Sequence, residues 1–319
     1  MIGASCFRGR RLCVVGNLNR DLRIAPISPG NHLFEDGETS TEHVREMPGG
    51  GGANSAVFAA TLGARVRLVA KVGDDAAGRA LRRTIRRLRV RPYLAIDPSH
   101  RTGTSINLVF DNGRRHFISA LQACAISYDE IDPAAMGGAE HLLRADVWFS
   151  EQMLFGGNEK LFEAAKSVGA DTSLDLNWDP QWGRALRGRV VARKRAVRRV
   201  LPLVDLAHGN VRELCEFTDA DTLGAALKRL TRWGAGAVVV HLGSRGGGYY
   251  AGGKLVRSPS VRAAKTINTT GTGDLLSVCM MLLQRHAAPV RAKLDTANQV
   301  VSRYIEGNWP GAFLTAGTE

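Results

Sequence analysis

The chain has 319 residues, of which 44% are hydrophobic and 23% charged, and this composition excludes extensive disorder and predicts a globular protein with a sizeable core. Its formal net charge is +13 at pH 7, which raises the question of a nucleic-acid partner. The basic residues concentrate at 82–91 and 184–199 without interleaved aromatic residues, so the pattern favours solvated helix faces over specific nucleic-acid binding.

Cysteine spacing and hydropathy indicate the cellular compartment in which the protein is expected. The five cysteines are far apart and form no C-x-x-C pair, which favours neither a disulfide framework nor a zinc site and predicts a reducing cytoplasm. No run approaches the ~18 consecutive apolar residues of a membrane span. The arginines near the start are followed by no apolar stretch, so no secretory signal is predicted.

Taken in chain order, the hydropathy pattern alternates between strands and helices. It predicts strands at 12–16, 65–70, 104–110, 114–119, 147–149, 172–176, 203–207 and 237–242. It predicts helices at 53–62, 76–89, 159–168, 191–200, 212–217, 223–233, 275–284 and 290–304. Such alternation is typical of an α/β fold with a mostly parallel, doubly wound sheet, which binds ligands at the carboxyl ends of its strands.

Two segments interrupt this alternation. Residues from about 20 to 47 are polar and rich in turn residues, and residues 101–120 contain two alternating runs joined by Asn112-Gly113, a strong hairpin signal. No repeat or low-complexity linker is present. We therefore expect a single domain over 1–319, with a small β-sheet formed by these two insertions.

A glycine-rich run precedes the first predicted helix. Gly49 to Gly52 lack side chains, so the backbone there can approach a ligand closely, and Asn54 at the helix start can orient hydroxyl groups. The run is neither a Walker loop nor a dinucleotide fingerprint. On its own, a flexible loop explains it equally well.

A second glycine-rich segment, Asn268-Thr-Thr-Gly-Thr-Gly-Asp274, opens an apolar helix. The N–H groups of a helix start form an anion site, beside which an aspartate is unexpected. Asp274 fits a helix cap or a general base that accepts a hydroxyl proton next to a transferring phosphoryl group. The two roles are compatible.

Two weaker signals follow predicted strands. Asn210 and Glu213 carry oxygen atoms that can hold Mg²⁺ through water, although a helix cap with an acidic first turn explains them equally well. The strand at 237–242 runs into a glycine turn, as many α/β crossings do.

Together these segments resemble the PfkB (ribokinase-like) family of carbohydrate and nucleoside kinases, from Val14 to about Asn298. Gly49 to Asn54, Gly63 and Val72 to Asp75 are similar to the first family signature, and Thr269 to Asp274 to the second, more specific one. Asn210-Val-Arg-Glu213 is similar to the family's N-x-x-E motif. The resemblance implies a three-layer α/β/α core and a β-sheet lid at about 20–47 and 101–120.

The resemblance also implies ATP and Mg²⁺ as cofactors and a role for each matched position. Asp274 corresponds to the catalytic base, and the backbone of Gly271, Thr272 and Gly273 to the anion hole. Asn210 and Glu213 correspond to the residues that organise Mg²⁺ and its waters. The acceptor positions are Asn19, Asp21, Gly50 and Asn54, and the nucleotide positions are His241, Gly243, Gly246 and, near the adenine, Asn298. Lids of this family often pair between subunits, so a homodimer is expected.

Several positions depart from the family pattern. Gly51 replaces the Lys of ribokinases, which disfavours ribose itself. Asn268 replaces an Asp that contributes to a monovalent-cation site in some members, so dependence on such a cation is left open. His241 replaces a common Thr, and Leu275-Leu276 a small-aromatic pair. Asp179, within 175–182, replaces an Arg of fructokinases and ketogluconate kinases, while the nearby tryptophans favour core packing.

The acceptor expected from the sequence is a neutral sugar, because Asp21 can accept hydrogen bonds from hydroxyl groups and no cationic partners for a phosphorylated sugar can be placed. A nucleoside is the second choice. An alternative of another class is a sugar- or nucleotide-binding regulatory protein that has lost catalysis. That alternative predicts loss of the base or the anion hole, and both are present in the sequence.

Overall fold

The computed structural model describes residues 2–308 except Gly113, Asn268 and the side chain of Ala4. The strands are β1 (Arg11–Val15), β2 (Asn19–Ile27), β3 (His43–Gly49), β4 (Arg65–Gly73), β5 (Val90–Asp97), β6 (Thr104–Phe110), β7 (Arg115–Ala120), β8 (His141–Arg144), β9 (Asp171–Asp175), β10 (Leu206–Asn210), β11 (Ala237–His241), β12 (Gly247–Ala251) and β13 (Lys254–Ser258). The α-helices are α1 (Gly51–Thr61), α2 (Ala76–Arg87), α3 (Asn158–Ser167), α4 (Arg187–Val200), α5 (Val211–Thr218), α6 (Leu223–Arg232), α7 (Thr272–Leu282) and α8 (Val290–Ile305).

A large sheet of nine described strands has the order β13-β12-β11-β10-β9-β8-β1-β4-β5. Its pairs are parallel from β11 to β5, and β12 and β13 add an antiparallel edge. The central strands are buried almost throughout, as expected when helices cover both faces. Helices α3 to α6 pack on one face, and α1, α7 and α8 on the other. The predicted three-layer α/β/α class is confirmed.

A second sheet contains four described strands in the order β3-β2-β6-β7. β2 pairs with β3 and β6 with β7 in antiparallel fashion, whereas β2 and β6 are parallel. The two polar segments of the sequence thus form one small sheet, although Gly113 of the predicted Asn112-Gly113 turn lies outside the described residues. Asp75 ties this sheet to α2, because its carboxylate accepts hydrogen bonds from Thr102 N (2.8 Å) and Thr102 Oγ1 (2.6 Å).

The predicted strand at 147–149 is wrong. The strand lies earlier, at β8, where two of four residues are polar and the apolar signal is therefore weak. Both polar side chains are buried with partners: His141 Nε2 lies 2.7 Å from Ser173 Oγ, and Arg144 Nε donates to Asn158 Oδ1 at 2.8 Å. Trp148, within the predicted range, is buried but lies outside any strand. Its Nε1–H donates a hydrogen bond to the carbonyl of Leu176 at 3.0 Å.

The predicted strand at 203–207 begins too early, because Leu201–Leu203 forms a short 3-10 turn around Pro202 and the strand is β10. Strands β5, β12 and β13 were not predicted, as arginines and glycines interrupt their apolar pattern. No helix in the described part of the chain is long and apolar enough to cross a membrane.

Candidate active site

The carboxyl ends of the central strands bring polar residues together at one edge of the large sheet. Asn17 follows β1, Asp146 follows β8, and Asp175 and Asn210 end β9 and β10. The strand order reverses between β1 and β8, and such a switch point is where open α/β sheets bind ligands. The edge therefore defines the candidate site.

The start of α7 lies at this edge and has the features of an anion site. Gly271 precedes the helix with φ 77°, a conformation that favours glycine, and no side chain caps the helix. The first-turn N–H groups of a helix have no intrahelical acceptor, so those of Thr272 and Gly273 are suited to an anion. All residues from 275 to 282 are buried, which anchors the helix start in the core.

Asp274, the third residue of α7, lies beside these N–H groups. Its Oδ2 accepts a long hydrogen bond from Asn54 Nδ2 at 3.5 Å. Burial and the carboxylates of Asp146 and Glu213 raise the pKa of Asp274 to about 7, against the opposing effect of the Asn54 amide. A carboxylate with such a pKa is matched to accepting a proton near neutral pH.

The glycine-rich start of α1 is arranged differently, because a carboxylate of the same chain covers it. Asp146 accepts hydrogen bonds from the backbone N–H groups of Asn17 (2.8 Å), Gly52 (2.8 Å) and Gly51 (3.2 Å). A Cβ at Gly51 would lie 2.8 Å from Asp146 Oδ1. A side chain at 51 would therefore require the Asp146 carboxylate to shift.

The predicted acceptor residues lie next to this covered start. Asn19 Nδ2 donates to Asp21 Oδ1 at 2.6 Å, and a Cβ at Gly49 would overlap the Asp21 carboxyl group at 2.1 Å. Gly50 has φ 97° and links β3 to α1. Burial raises the pKa of Asp21 to about 6; the Asn19 hydrogen bond opposes this, and the Asp146 charge adds to it.

The small sheet presents further polar groups on the face that bears Asp21. Register places Arg23 beside Asn107 on this face, and Asn107 is 5% exposed with no hydrogen-bond partner for its Oδ1 among the described residues. Arg115 of β7 donates to Thr270 Oγ1 at 2.5 Å, next to the anion site. The sequence did not single out these residues, because only strand pairing places them on one face.

Asn210 and Glu213 form a reciprocal helix cap at the start of α5. Asn210 N donates to Glu213 Oε2 at 2.7 Å, and Glu213 N donates to Asn210 Oδ1 at 3.0 Å. Burial raises the pKa of Glu213, against its hydrogen bonds with Asn210. Burial and the charges of Asp274 and Glu213 raise the pKa of Asp175 well above its usual range. The charges of Asp175, Asp274 and Glu213 therefore act on one another at this edge, and each raised pKa reflects a carboxyl group held away from water.

The predicted nucleotide residues divide into two groups. His241 lies under the anion site: a Cβ at Gly273 would be 2.9 Å from its Nδ1, its Nε2 is 2.7 Å from Ser277 Oγ, and burial lowers its pKa to about 4. Gly243 and Gly246 have φ values of 61° and 92° in the turn after β11.

Asn298, predicted to lie near the adenine, is buried in α8. Its Nδ2 donates to Ser258 O at 3.1 Å, Ser258 Oγ at 2.9 Å and Pro259 O at 3.0 Å. Its amide nitrogen therefore holds the segment after β13 in place. Asn268, the predicted departure at the monovalent-cation position, lies outside the described residues.

Asp179, which replaces an Arg of fructokinases, has a structural partner. It is fully buried and pairs with Arg193 of α4, with 2.8 Å between Arg193 Nε and Asp179 Oδ2. Trp178 and Trp182 pack edge to face at 4.8 Å, so the tryptophans are packing residues, as expected. The ion pair fixes the loop after β9 to α4.

Comparison with known proteins identifies the family. The model of the pfkB family of carbohydrate kinases matches residues 10–281. The chain is 27% identical over 296 residues to a ribokinase of Bacillus subtilis, covering 92% of each chain. It superposes on a PfkB protein from Polaromonas sp. JS666 with a TM-score of 0.78, 19% identity and coverage of 97% and 100%. It superposes on the structure of Arabidopsis thaliana ribokinase complexed with ribose and ATP with a TM-score of 0.73 and 21% identity. That superposition covers 97% of this chain and 96% of the ribokinase chain.

A family match over most of the chain establishes membership. The chain belongs to the pfkB family of carbohydrate kinases. It is accordingly a phosphotransferase with an alcohol group as acceptor.

Proposed function

We propose that the chain transfers the γ-phosphoryl group of ATP to a hydroxyl group of a small sugar, with Asp274 as the general base. The observation that carries this is the position of Asp274 at the uncapped start of α7 with a pKa of about 7. A base beside N–H groups that face developing negative charge is the arrangement that phosphoryl transfer requires.

In this proposal each group has one task. Asp274 accepts the proton of the attacking hydroxyl group, and Asn54 orients the carboxylate through its amide. The backbone N–H groups of Gly271, Thr272 and Gly273 stabilise charge on the phosphoryl oxygens. His241 stays neutral and supports Gly273 from below.

Mg²⁺ fits the residues present if ATP phosphates and water complete its shell. The described residues include no group of three His, Cys, Asp or Glu side chains that could hold a metal directly. Mg²⁺ commonly keeps several waters and uses one or two carboxylates with substrate phosphates. Glu213, whose Oε2 is engaged by Asn210 N, and Asn210 would hold its waters. Bound there, the ion would neutralise phosphate charge.

The nucleotide is proposed to lie along the turn after β11. Gly243 faces open space, since a Cβ there would meet no atom within 4 Å, whereas Gly246 packs against the backbone of Ser258 and Pro259. Asn298 contributes to the adenine pocket by holding the same two residues. ATP is the expected nucleotide because the family is one of carbohydrate kinases. The basic net charge of +13 favours an anionic nucleotide as well.

The acceptor is proposed to bind between Asp21, Asn19, Gly50 and Asn54, under the small sheet acting as a lid. Lid closure excludes water from such sites. A neutral sugar is the first choice and a nucleoside the second. Arg23 and Arg115 add cationic groups on the lid face that the sequence could not place, so sugars with an anionic group belong in the substrate screen.

A homodimer through the outer face of the lid is also proposed. Strand register places apolar side chains together on the face opposite Asp21. Val44 is 62% and Ile118 54% exposed, and a contiguous exposed apolar face is typical of an interface. The apolar side chains of this face are Leu22, Ile24, Val44, Ile106, Leu108 and Ile118, with Glu46 and His116 at its margins.

The decisive experiment is an ATP-consumption screen over pentoses, hexoses, sugar phosphates, sugar acids and nucleosides, with product analysis by mass spectrometry. We expect one sugar class to give turnover that requires Mg²⁺ and is lost in Asp274→Asn. Turnover only with nucleosides would favour the second choice. If no acceptor in the screen leads to ADP formation while a sugar binds saturably, the chain would instead be the regulatory protein, and the proposal would be refuted.

A further inference from the structure

The edge of the large sheet opposite the candidate active site carries a concentration of arginines. The amino ends of β1, β4 and β5 border a groove of about 450 Å³ with an apolar floor that includes Leu12 and Val66. A second, shallow depression of about 450 Å³ continues the groove past β5. The arginines that line the two are Arg11, Arg65, Arg67, Arg86, Arg89 and Arg91, and Arg89 and Arg91 belong to both.

Strand register places four of these charges in facing pairs. Arg11 lies opposite Arg65, and Arg67 lies opposite Arg91. Neighbouring strands are about 4.8 Å apart, and residues directly opposite each other project from the same face. Facing like charges destabilise a sheet, so the isolated groove carries an electrostatic cost that a bound anion would remove.

The groove is also short of internal counter-charge. Among the described residues, Glu140 is the one carboxylate in ion-pair distance of these six arginines, 3.4 Å from Arg11 Nη2. Backbone carbonyls orient two of the side chains instead: Arg67 donates to Ala135 O and Gly137 O, and Arg11 Nε donates to Gly138 O. Neutral carbonyls hold guanidinium groups in place without cancelling their charge.

We propose that this groove binds a small anion that carries two or more phosphate groups. Two facing arginine pairs match two anionic groups, and the planar guanidinium fork binds phosphate with two hydrogen bonds. The volume is that of a small-molecule site. Tyr93 is the one aromatic side chain lining it, fewer than a single-stranded nucleic-acid platform requires.

The proposal does not depend on the phosphotransfer chemistry. β1 and β4 run from the groove to the active-site edge, so a ligand in the groove occupies the opposite end of the sheet from the acceptor and ATP. It would therefore bind without displacing either substrate.

The test is calorimetric titration of the full chain with inorganic tripolyphosphate near physiological salt. The variant Arg65→Gln/Arg91→Gln removes one arginine from each facing pair, and neither side chain makes an ion pair among the described residues. The matched control, Arg82→Gln/Arg83→Gln, makes the same charge change on α2 outside both cavities. We expect at least about tenfold weaker binding in the first variant and less than about twofold in the control.

Further arms identify the source of the phosphates and exclude a folding defect. Tripolyphosphate is compared with ATP for the component of binding that the Gln variant loses: equal affinity of the two ligands in that component shows that the phosphate chain suffices, and tighter binding of ATP shows added contacts to the nucleoside. Arg65→Lys/Arg91→Lys keeps the charge without the fork, so intermediate binding is expected. Thermal unfolding of the Gln variant should match or exceed wild type, since like charges are removed.

Three results would overturn the proposal. One is equal weakening by the groove and control variants, which would indicate a diffuse surface field. Another is an unchanged isotherm, in which the groove variant binds tripolyphosphate as tightly as the wild type does. The third is loss of binding to a short single-stranded oligonucleotide with tripolyphosphate binding unchanged, which would make the groove a nucleic-acid surface.

Discussion

Two helices of this protein begin with glycine-rich segments at the same edge of the sheet, and their surroundings differ. At α1 the N–H groups of Gly51 and Gly52 are occupied by the Asp146 carboxylate. At α7 the residue before the helix is Gly271, which has no side chain to cap it, and Asp274 lies in the first turn. A glycine-rich helix start is therefore available to an external anion only when the fold leaves it open, and here an internal carboxylate occupies one of the two.

The largest effect is expected from a substitution of Asp274 at the start of α7. Asp274→Asn removes the proton acceptor but keeps the shape of the side chain, so kcat should fall about 10²- to 10⁴-fold, with ATP affinity nearly unchanged. Steady-state kinetics and nucleotide titration measure the two quantities. Asp221→Asn, an exposed aspartate before α6, is the matched control and should behave as wild type. Normal turnover of the true substrate by Asp274→Asn would remove Asp274 from the mechanism.

A smaller effect is expected on the acceptor side of the covered start. Asp21→Ala removes a carboxylate that is proposed to accept hydrogen bonds from the acceptor, so the acceptor KM should rise by roughly 10- to 100-fold. The KM for ATP should change little. Varying each substrate at saturation of the other separates the two constants, and an unchanged acceptor KM would place Asp21 outside the site.

The smallest expected effect concerns the electrostatic influence of Asp146, at the start of α1, on Asp274, at the start of α7. Asp274 acts as a base only when deprotonated, so kcat/KM should rise with pH up to about 7 and then level off. The Asp146 carboxylate raises the pKa of Asp274. In Asp146→Asn that charge is absent, so the acidic limb of the profile should move to lower pH.

The same variant should also lose stability. An Asn amide cannot accept all three backbone hydrogen bonds as well as a carboxylate, so the free energy of unfolding should fall by about 1–3 kcal/mol. Denaturant unfolding checks this, with Asp221→Asn as the control. A pH profile that does not move, in a variant that folds, would show that the two helix starts are electrostatically independent.

The sequence identified the proposed catalytic motif more readily than the groups around it. Asp274 and its glycines are contiguous, and their chemistry follows from the local properties of a helix start. Asp146 was missed because the buried His141 and Arg144 hid β8, and the strand was placed at 147–149 instead. A strand ending at 144 would have put Asp146 at the ligand-binding edge. Asp175 could have been found by the same rule, since it ends a strand that was predicted.

The sequence by itself determined the fold class, the family resemblance and the glycine-rich helix start with Asp274, because periodicity and short motifs are local properties of the chain. The tertiary structure decided what no local pattern contains. The fold places the Asp146 carboxylate on the start of α1 and pairs Asp179 with Arg193. It also directs the Asn298 amide to hydrogen bonds with Ser258 at the end of β13. It also placed arginines of three strands side by side, because register and face depend on pairing between distant segments.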